Sequence, residues 1–525
     1  MSNIIVVESS GIHKKLARSA LIIGIGTSIS RFLGLIRDIV IARFFGTSLY
    51  ADSFFVAFKI PNLLRDFIGE GATNSAFVPV LGEYLAKKDF EDYQRLVNTL
   101  FRIVIFVLVF ISILGVFFSP FIVNIIAPGF KSIPNKYQIT VNLTRVIFPY
   151  IFFITLTSFF MALLHTHQLF FPSAISPCML NLALIVGALW WRKYWGIYGL
   201  AWAVIVGGIL QVMIKIPFLN KIGIGFRLKG GFKHPAISKI GKLLLPRVLG
   251  SCIYQVNVFV DTMLASLSRI VGEGGVSALY YSNRIVQLPL AIFGISLAQA
   301  ALPTMVREFQ ENNFDKLSKT ISFSLRNIFF ITIPSASGLI FLSIPITRVL
   351  LQRGEFGVYS SQITSSALLF YSLGLFAYAG IKIVVSAFYS LQDTFTPVKI
   401  SSISLIINVF LNLILMFPLK VSGLALATAI SATFNLFLLF KYLRKKGLYL
   451  DIKDLLSSSL RILLASLCMG ITARVSFWIL GYFLQKEFLQ LMGAIGVGII
   501  FYIIFCFMFG VRELDRVKKW ILERR

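Results

Sequence analysis

Acidic residues are scarce in this chain: 22 Asp and Glu stand against 50 Lys and Arg, a formal net charge of +28 over 525 residues. Cysteine and histidine are scarcer still, at four each. Cys178, Cys252, Cys468 and Cys506 all fall in apolar runs without CxxC spacing, so a thiolate metal site is not expected and packing is. His165 and His167 are two apart, the wrong spacing for a shared helix face, and a loop role is expected rather than metal. No GxxxxGKS/T, HExxH or GxSxG signature occurs, which argues against an ATPase and against an enzyme generally.

What the chain has in quantity is apolar sequence. Hydrophobic residues make up 57% and mean hydropathy is +0.83, far too apolar for one soluble core. Apolar runs of about 20 residues recur from end to end, each long enough to cross a hydrocarbon layer about 30 Å thick as a helix. The reading is an all-α polytopic membrane protein of about 14 spans, near 18–46, 51–84, 98–127, 141–165, 172–192, 196–219, 240–267, 275–306, 321–347, 364–391, 396–417, 421–443, 457–483 and 487–511. The first apolar run begins near Leu16 and continues too far for a cleaved signal, so it is expected to be the first span.

A charge of +28 on a soluble protein would point to nucleic acid. Here most basic residues lie in loops between apolar runs, where they set topology and meet anionic lipid, and no nucleic-acid partner is expected. The cluster Lys215, Lys221, Arg227, Lys229, Lys233, Lys239 and Lys242, the group Lys441, Arg444, Lys445, Lys446 and Lys453, and the basic tail fall on one side. Sparser loops, with Lys131, Lys136, Lys420 and Lys486, fall on the other. An even span number then puts both termini in the cytoplasm.

The chain also repeats itself at a shift of about 224 residues: Pro79 falls on Pro303, Phe90 on Phe314, Arg102 on Arg326, and GLAWAVIVGGILQ (199–211) on GLALATAISATFN (423–435). Six helices repeat as six. Two pseudo-symmetric lobes, 1–230 and 231–450, are followed by two further helices and a basic tail, 451–525. Parallel repeats with a site between the halves are a transporter architecture.

Charge sits where lipid tails should be. Arg31, Arg37, Asp38, Asp52, Lys59, Arg65, Asp66 and Glu70 interrupt the first two spans, and Arg284 lies about ten residues into the eighth. A charge at the bilayer centre costs roughly 2.5–3.5 kcal/mol on insertion scales, so such groups need a bundle interior or a wet cavity. Arg31 and Asp38, seven apart, share a helix face. Asp261 in the seventh span occupies the place that Arg37 or Asp38 holds in the first. Arg31, Arg37, Arg65 and Arg284 outnumber the acids closest to them, Asp38 and Glu70, and a guanidinium fork matches phosphate or carboxylate oxygens, so an anion such as a diphosphate is the expected ligand. Internal pairing that only braces the bundle is the alternative, and Asp52 and Glu70 are read as gate or ion-pair partners for arginines. Asp393, in SLQDTFTP, either caps a helix turn or joins Asp261 as a ligand for Na⁺ or a proton. Pro61, Gly69 and Gly71 in the second span, and Pro289, Gly294 and Pro303 in the eighth, predict kinked backbone.

SRFLGLIRD (30–38), ADSFFVAFKIPNLLRDFIGEGATNSAFVPVL (51–81) and YYSNRIVQLPLAIFGISLAQAALP (280–303) resemble the MurJ/MviN family of lipid II flippases, in the multidrug/oligosaccharidyl-lipid/polysaccharide exporter superfamily. The resemblance implies two six-helix lobes around a cavity, with two C-terminal helices forming a groove for a lipid tail. It implies movement of undecaprenyl-diphosphate-linked peptidoglycan precursor across the bacterial cytoplasmic membrane for cell wall synthesis. Arg31, Arg37, Asp38, Arg65 and Arg284 would then serve the diphosphate, with Asp52 and Glu70 in the second motif. It also implies a sodium ion in the C-terminal lobe, a pattern Asp261 and Asp393 fit, whereas Tyr389 is not an obvious ligand. Membrane lipids are the other expected partners, and a monomer the expected working unit. The rival expectations are an exporter of another polyprenyl-linked oligosaccharide, or of drugs or cations, and a membrane enzyme acting on polyprenyl phosphates.

Overall fold

Helices account for the secondary structure throughout the computed structural model, which describes residues 2–65, 76–87 and 89–514, with backbone alone in 2–23, at 64 and in 245–254. Ten described helices are long and apolar enough to cross a membrane, eleven when Val358–Leu373 and Leu375–Ser390, bent by 43°, count as one. These eleven correspond to spans 3–6 and 8–14 of the sequence reading. Of the other three expected spans, 18–46 falls on the helix Ser2–Phe45 and 240–267 on Pro235–Ala265, while 51–84 includes most of Leu49–Arg65 and of Val78–Ala86, with residues 66–75 outside the described ones. Two of them are the helices whose apolar sequence is broken by the charges singled out above. Asp66, Gly69, Glu70 and Gly71 lie outside the described residues.

The chain divides into two compact units, Met1–Val256 and Asn257–Arg525. In the first, Ser2–Phe45 packs on Phe171–Val186, Leu49–Arg65 on Pro134–Ile147, and Tyr198–Met213 on both Phe171–Val186 and Tyr150–Thr166. A core of Phe77, Leu81, Tyr93, Leu96, Phe159 and Leu163 fills it. In the second, Phe395–Leu419 packs on Val421–Lys445, and Val358–Leu373 on Val421–Lys445 and Gly275–Pro289. The core there includes Leu325, Ile328, Phe329, Ile383, Phe388 and Leu436. The hairpin Ile452–Phe483 and Glu487–Met508 docks on Phe314–Phe341 through Ile462, Met469, Tyr502 and Cys506. Described cysteines are free, with Cys178 and Cys506 buried in the packing.

The repeat extends to backbone detail. Phe90–Phe117 and Phe314–Phe341 are both 28 residues long, capped by Asp89 and Asn313, whose side chains each accept from the N–H three residues on at 3.0 Å. Positive φ recurs at the same shift: Gln168 (60°) and Gln392 (58°), Gly196 (54°) and Lys420 (53°), Gly223 (75°) and Gly447 (82°). Each pair follows the end of a helix, where a residue at positive φ turns the chain.

The repeat also carries one arginine clamp in each compact unit. Arg102 donates to the carbonyls of Arg227 (3.3 Å), Lys229 (2.9 Å) and Gly231, and to Thr99 Oγ1 (3.0 Å), so the basic loop after the sixth span is tied to the third. Gly230 has φ +134°, which L side chains rarely adopt, and a Cβ there would lie 2.7 Å from Arg102 Nη1. Its counterpart Arg326 pairs with Asp454 and lies 3.9 Å from Glu513, so the same position in the second lobe grips carboxylates instead of carbonyls. In span 8 the backbone after Pro289 runs as a π-helical turn, Leu290–Ile295, before resuming at Ser296. Such turns absorb a missing N–H and often mark functional helices.

Candidate functional site

Arg37 and Asp38 are both buried, 6% and 2% exposed, and pair with each other. Asp38 Oδ1 accepts from Arg37 Nε at 2.9 Å and Nη2 at 2.7 Å. Arg37 Nη1 donates to Asn181 Oδ1 at 3.0 Å, and Asn181 Nδ2 returns to the Ser30 carbonyl at 3.0 Å. The guanidinium is thereby fixed between two helices. Arg31 and Arg65 are half-buried, Arg65 at the end of Leu49–Arg65.

Asp52, 1% exposed, forms an ion pair with Lys136, 2% exposed, at 2.7 Å. The ammonium also stands 4.1 Å from the centre of the Phe130 ring. By sequence Lys136 falls in an outer loop and Asp52 reads as a gate or ion-pair partner for arginines. Instead Pro134 starts a helix, Pro134–Ile147, whose packing on Leu49–Arg65 turns Lys136 inward. Lys215 likewise leaves the basic loop cluster to which it was assigned: at 1% exposure, its Nζ donates to Ser176 Oγ at 2.9 Å. His167 Nε2 meets Tyr93 OH at 3.1 Å and His165 packs on the Phe170 ring. No cluster of His, Cys, Asp or Glu able to hold a metal exists among the described residues.

In the second unit Arg284 is half-buried on Gly275–Pro289, just before the π turn. Asp261 is met by amides. Its Oδ1 accepts from Asn412 Nδ2 at 2.8 Å and its Oδ2 from Asn257 Nδ2 at 3.4 Å. Asn412 Nδ2 also donates to Asn408 Oδ1 at 2.8 Å, and Asn408 Nδ2 reaches Thr428 Oγ1 at 3.3 Å. Asn412 Oδ1 is a buried acceptor with no partner among the described residues. A carboxylate, two amides and a hydroxyl make an oxygen donor set of the kind a hard cation takes, with one acceptor left over for it.

Asp393 does not belong to that set, which corrects the pairing of Asp261 with Asp393. Asp393 stands just before Phe395–Leu419, and Asn412, the partner of Asp261, is 19 residues further on, roughly 28 Å along a helix of 1.5 Å rise. Asp393 instead caps that helix, accepting from Thr396 N–H at 2.9 Å and Thr396 Oγ1 at 2.8 Å, and pairs with Lys446 at 2.8 Å. Burial pushes its carboxyl up, but the bonds from Lys446 and Thr396 outweigh this and hold it at about 2. Tyr389 is an exposed neighbour one turn earlier.

Sequence reasoning missed Lys136, Lys215, Asn181, Asn408 and Asn412. Asparagines 408 and 412, four apart within an apolar run, were the available signal.

The family model described as "Lipid II flippase MurJ" matches residues 41–493. The chain belongs to the MurJ family. It is 34% identical over 506 residues to a probable lipid II flippase MurJ of Buchnera aphidicola subsp. Schizaphis graminum, covering 95% of this chain and 98% of that one. It is 33% identical over 520 residues to that of Vibrio cholerae serotype O1, covering 96% and 98%. Among solved structures, a lipid II flippase MurJ in an inward closed conformation superposes with TM-score 0.79 at 29% identity, over 94% of this chain and 100% of that one. An inward-facing multidrug transporter of the MATE family superposes with TM-score 0.66 at 16% identity, over 79% and 94%, which shows a shared fold.

Proposed function

We propose that this MurJ-family chain is a flippase for lipid II, moving the undecaprenyl-diphosphate-linked peptidoglycan precursor from the inner to the outer leaflet for cell wall synthesis. The observation that carries this reading is the family match along residues 41–493. The chain is then a transporter, and the substrate leaves chemically unchanged. We assign it to the bacterial cytoplasmic membrane, with both termini inside, from the basic loops.

In this reading Arg31, Arg37, Arg65 and Arg284 take the diphosphate, with Asp38 holding Arg37. The Arg37 fork, held by Asp38 and Asn181, supports the assignment, because a guanidinium already fixed in place loses little side-chain entropy on meeting an anion. Asp52 with Lys136, and Glu70, serve as gate pairs. The lobes 1–230 and 231–450 rock in alternating access while 451–525 guides the polyprenyl tail. With the inside negative, each unit negative charge moved outward gains about 2.3 kcal/mol per 100 mV, so a diphosphate favours this direction. A sodium ion in the second lobe would be held by the oxygens of Asp261, Asn408, Asn412 and Thr428.

The test is flipping of lipid II by the reconstituted chain. Arg37→Ala and Arg284→Ala, if they fold, should lose transport by ten-fold or more, and normal flipping by both would sink the arginine assignment. In cells, depletion should accumulate lipid II in the inner leaflet. Conversion of lipid II to another compound in detergent would instead indicate an enzyme.

A further inference from the structure

We propose that the hollow on the C-terminal hairpin is a binding site for the phosphate of a membrane glycerophospholipid, with Arg474 as its ligand. This rests on the hairpin spanning the membrane and not on the flippase reading.

The hollow, about 450 Å³, is lined by Arg474, Val475, Phe477, Trp478 and Gly481 of Ile452–Phe483 and by Gln490 of Glu487–Met508. Arg474, Trp478 and Gly481 stand four and three residues apart, so they share one helix face. Gly481 makes the room: a Cβ there would meet nothing nearer than Gln490 Oε1 at 3.9 Å. Gln490 is itself held, donating Nε2 to the Leu484 carbonyl.

Arg474 is exposed, and it makes no ion pair or hydrogen bond among the described residues. Nine residues separate it from the helix end at Phe483, roughly 14 Å at 1.5 Å per residue, which is membrane depth. An unpaired charge there costs roughly 2.5–3.5 kcal/mol on insertion scales unless the side chain reaches the interface or meets an anion. Beyond it Trp478, Tyr482 and Phe483 are exposed, the aromatic signature of headgroup level, and the ion pair Arg348–Glu487 (2.6 Å) marks the polar end of the hairpin. The abundant anion at that level is a lipid phosphodiester, which a guanidinium grips bidentately. Val475, Phe477 and Trp478 offer apolar surface for its acyl chains. Inorganic phosphate would have to leave water for an apolar-walled hollow without bringing any such chains.

The experiment is native mass spectrometry of the delipidated full chain titrated with phosphatidylglycerol, diacylglycerol, undecaprenyl phosphate and inorganic phosphate. Phosphatidylglycerol should bind at least ten-fold more tightly than diacylglycerol. Arg474→Gln should erase that ten-fold advantage, and Gly481→Leu, which fills the hollow but keeps the charge, should do the same. Lipid-free melting of Arg474→Gln should match the original chain, which separates a lost ligand from a lost fold. Equal phosphatidylglycerol binding in Arg474→Gln overturns the proposal, as does equal binding of diacylglycerol. Arg474-dependent binding of undecaprenyl phosphate alone, or displacement by inorganic phosphate at the same concentration, overturns the glycerophospholipid as occupant.

Discussion

At the scale of single residues, the buried charges sort by whether they are paired within reach. The Asp52–Lys136 pair is almost wholly buried. A buried pair contributes little net stability, but removing one partner strands the other and costs roughly 3–5 kcal/mol. Lys136→Met should therefore lower the melting temperature sharply in detergent, whereas Asp52→Leu with Lys136→Met should recover most of the loss. No recovery in the double variant would mean that Lys136 does more than neutralise Asp52. Asp393 makes a pH prediction. Its folded value of about 2 lies below the ordinary 3.8, so its contribution is complete above about 4 and lost as pH falls from there towards 2. The melting difference between the original chain and Asp393→Asn should be constant above about pH 4 and vanish between there and pH 2. The acids and arginines themselves were legible in the sequence, since a charge in an apolar run stands out. Their partners were not: Arg37 meets Asn181, 144 residues away, and Asp261 meets Asn412, 151 away.

At the scale of elements, the repeat turns one lobe into a control for the other. Gly196 and Lys420 occupy equivalent turns with the same backbone, φ near 54° and ψ −131°. Glycine adopts that conformation freely, whereas a lysine there is strained by roughly 1–3 kcal/mol. Lys420→Gly should raise stability by about 1 kcal/mol, and Gly196→Lys should lower it by a similar amount, both read by thermal unfolding. The arginine clamps give a second pair. Gly230→Ala should push Arg102 off its carbonyls and expose the 225–231 loop to proteolysis, at roughly 1–3 kcal/mol for the buried donors left unmet. Arg326→Ala should free the start of Ile452–Phe483 instead, seen as faster amide exchange there. Proline and glycine in span 8 announced an interruption, but only packing shows that it is a π turn rather than a sharp kink.

At the scale of the molecule, topology is the property to test. A cysteine at Gln485 should react with a membrane-impermeant maleimide added outside intact cells, and one at Lys233 should not until the membrane is opened. The reverse pattern would invert the orientation. Fold class, the order of spans and the repeat were determined by the sequence by itself, because hydropathy, helix length and a shift of about 224 residues are properties of the chain taken in line. The resemblance of 30–38, 51–81 and 280–303 likewise reached the family without coordinates. What only the tertiary structure decided was which buried groups meet. Lys136 and Lys215 read as loop charges, yet they point inward because helix rotation, set by packing against neighbours, aims each side chain. Asp261 and Asp393 read as one site, yet the helix that carries the partner of one and the cap of the other holds them apart by its length. A linear sequence states where charge is present, and the rotation and length of packed helices settle what it touches.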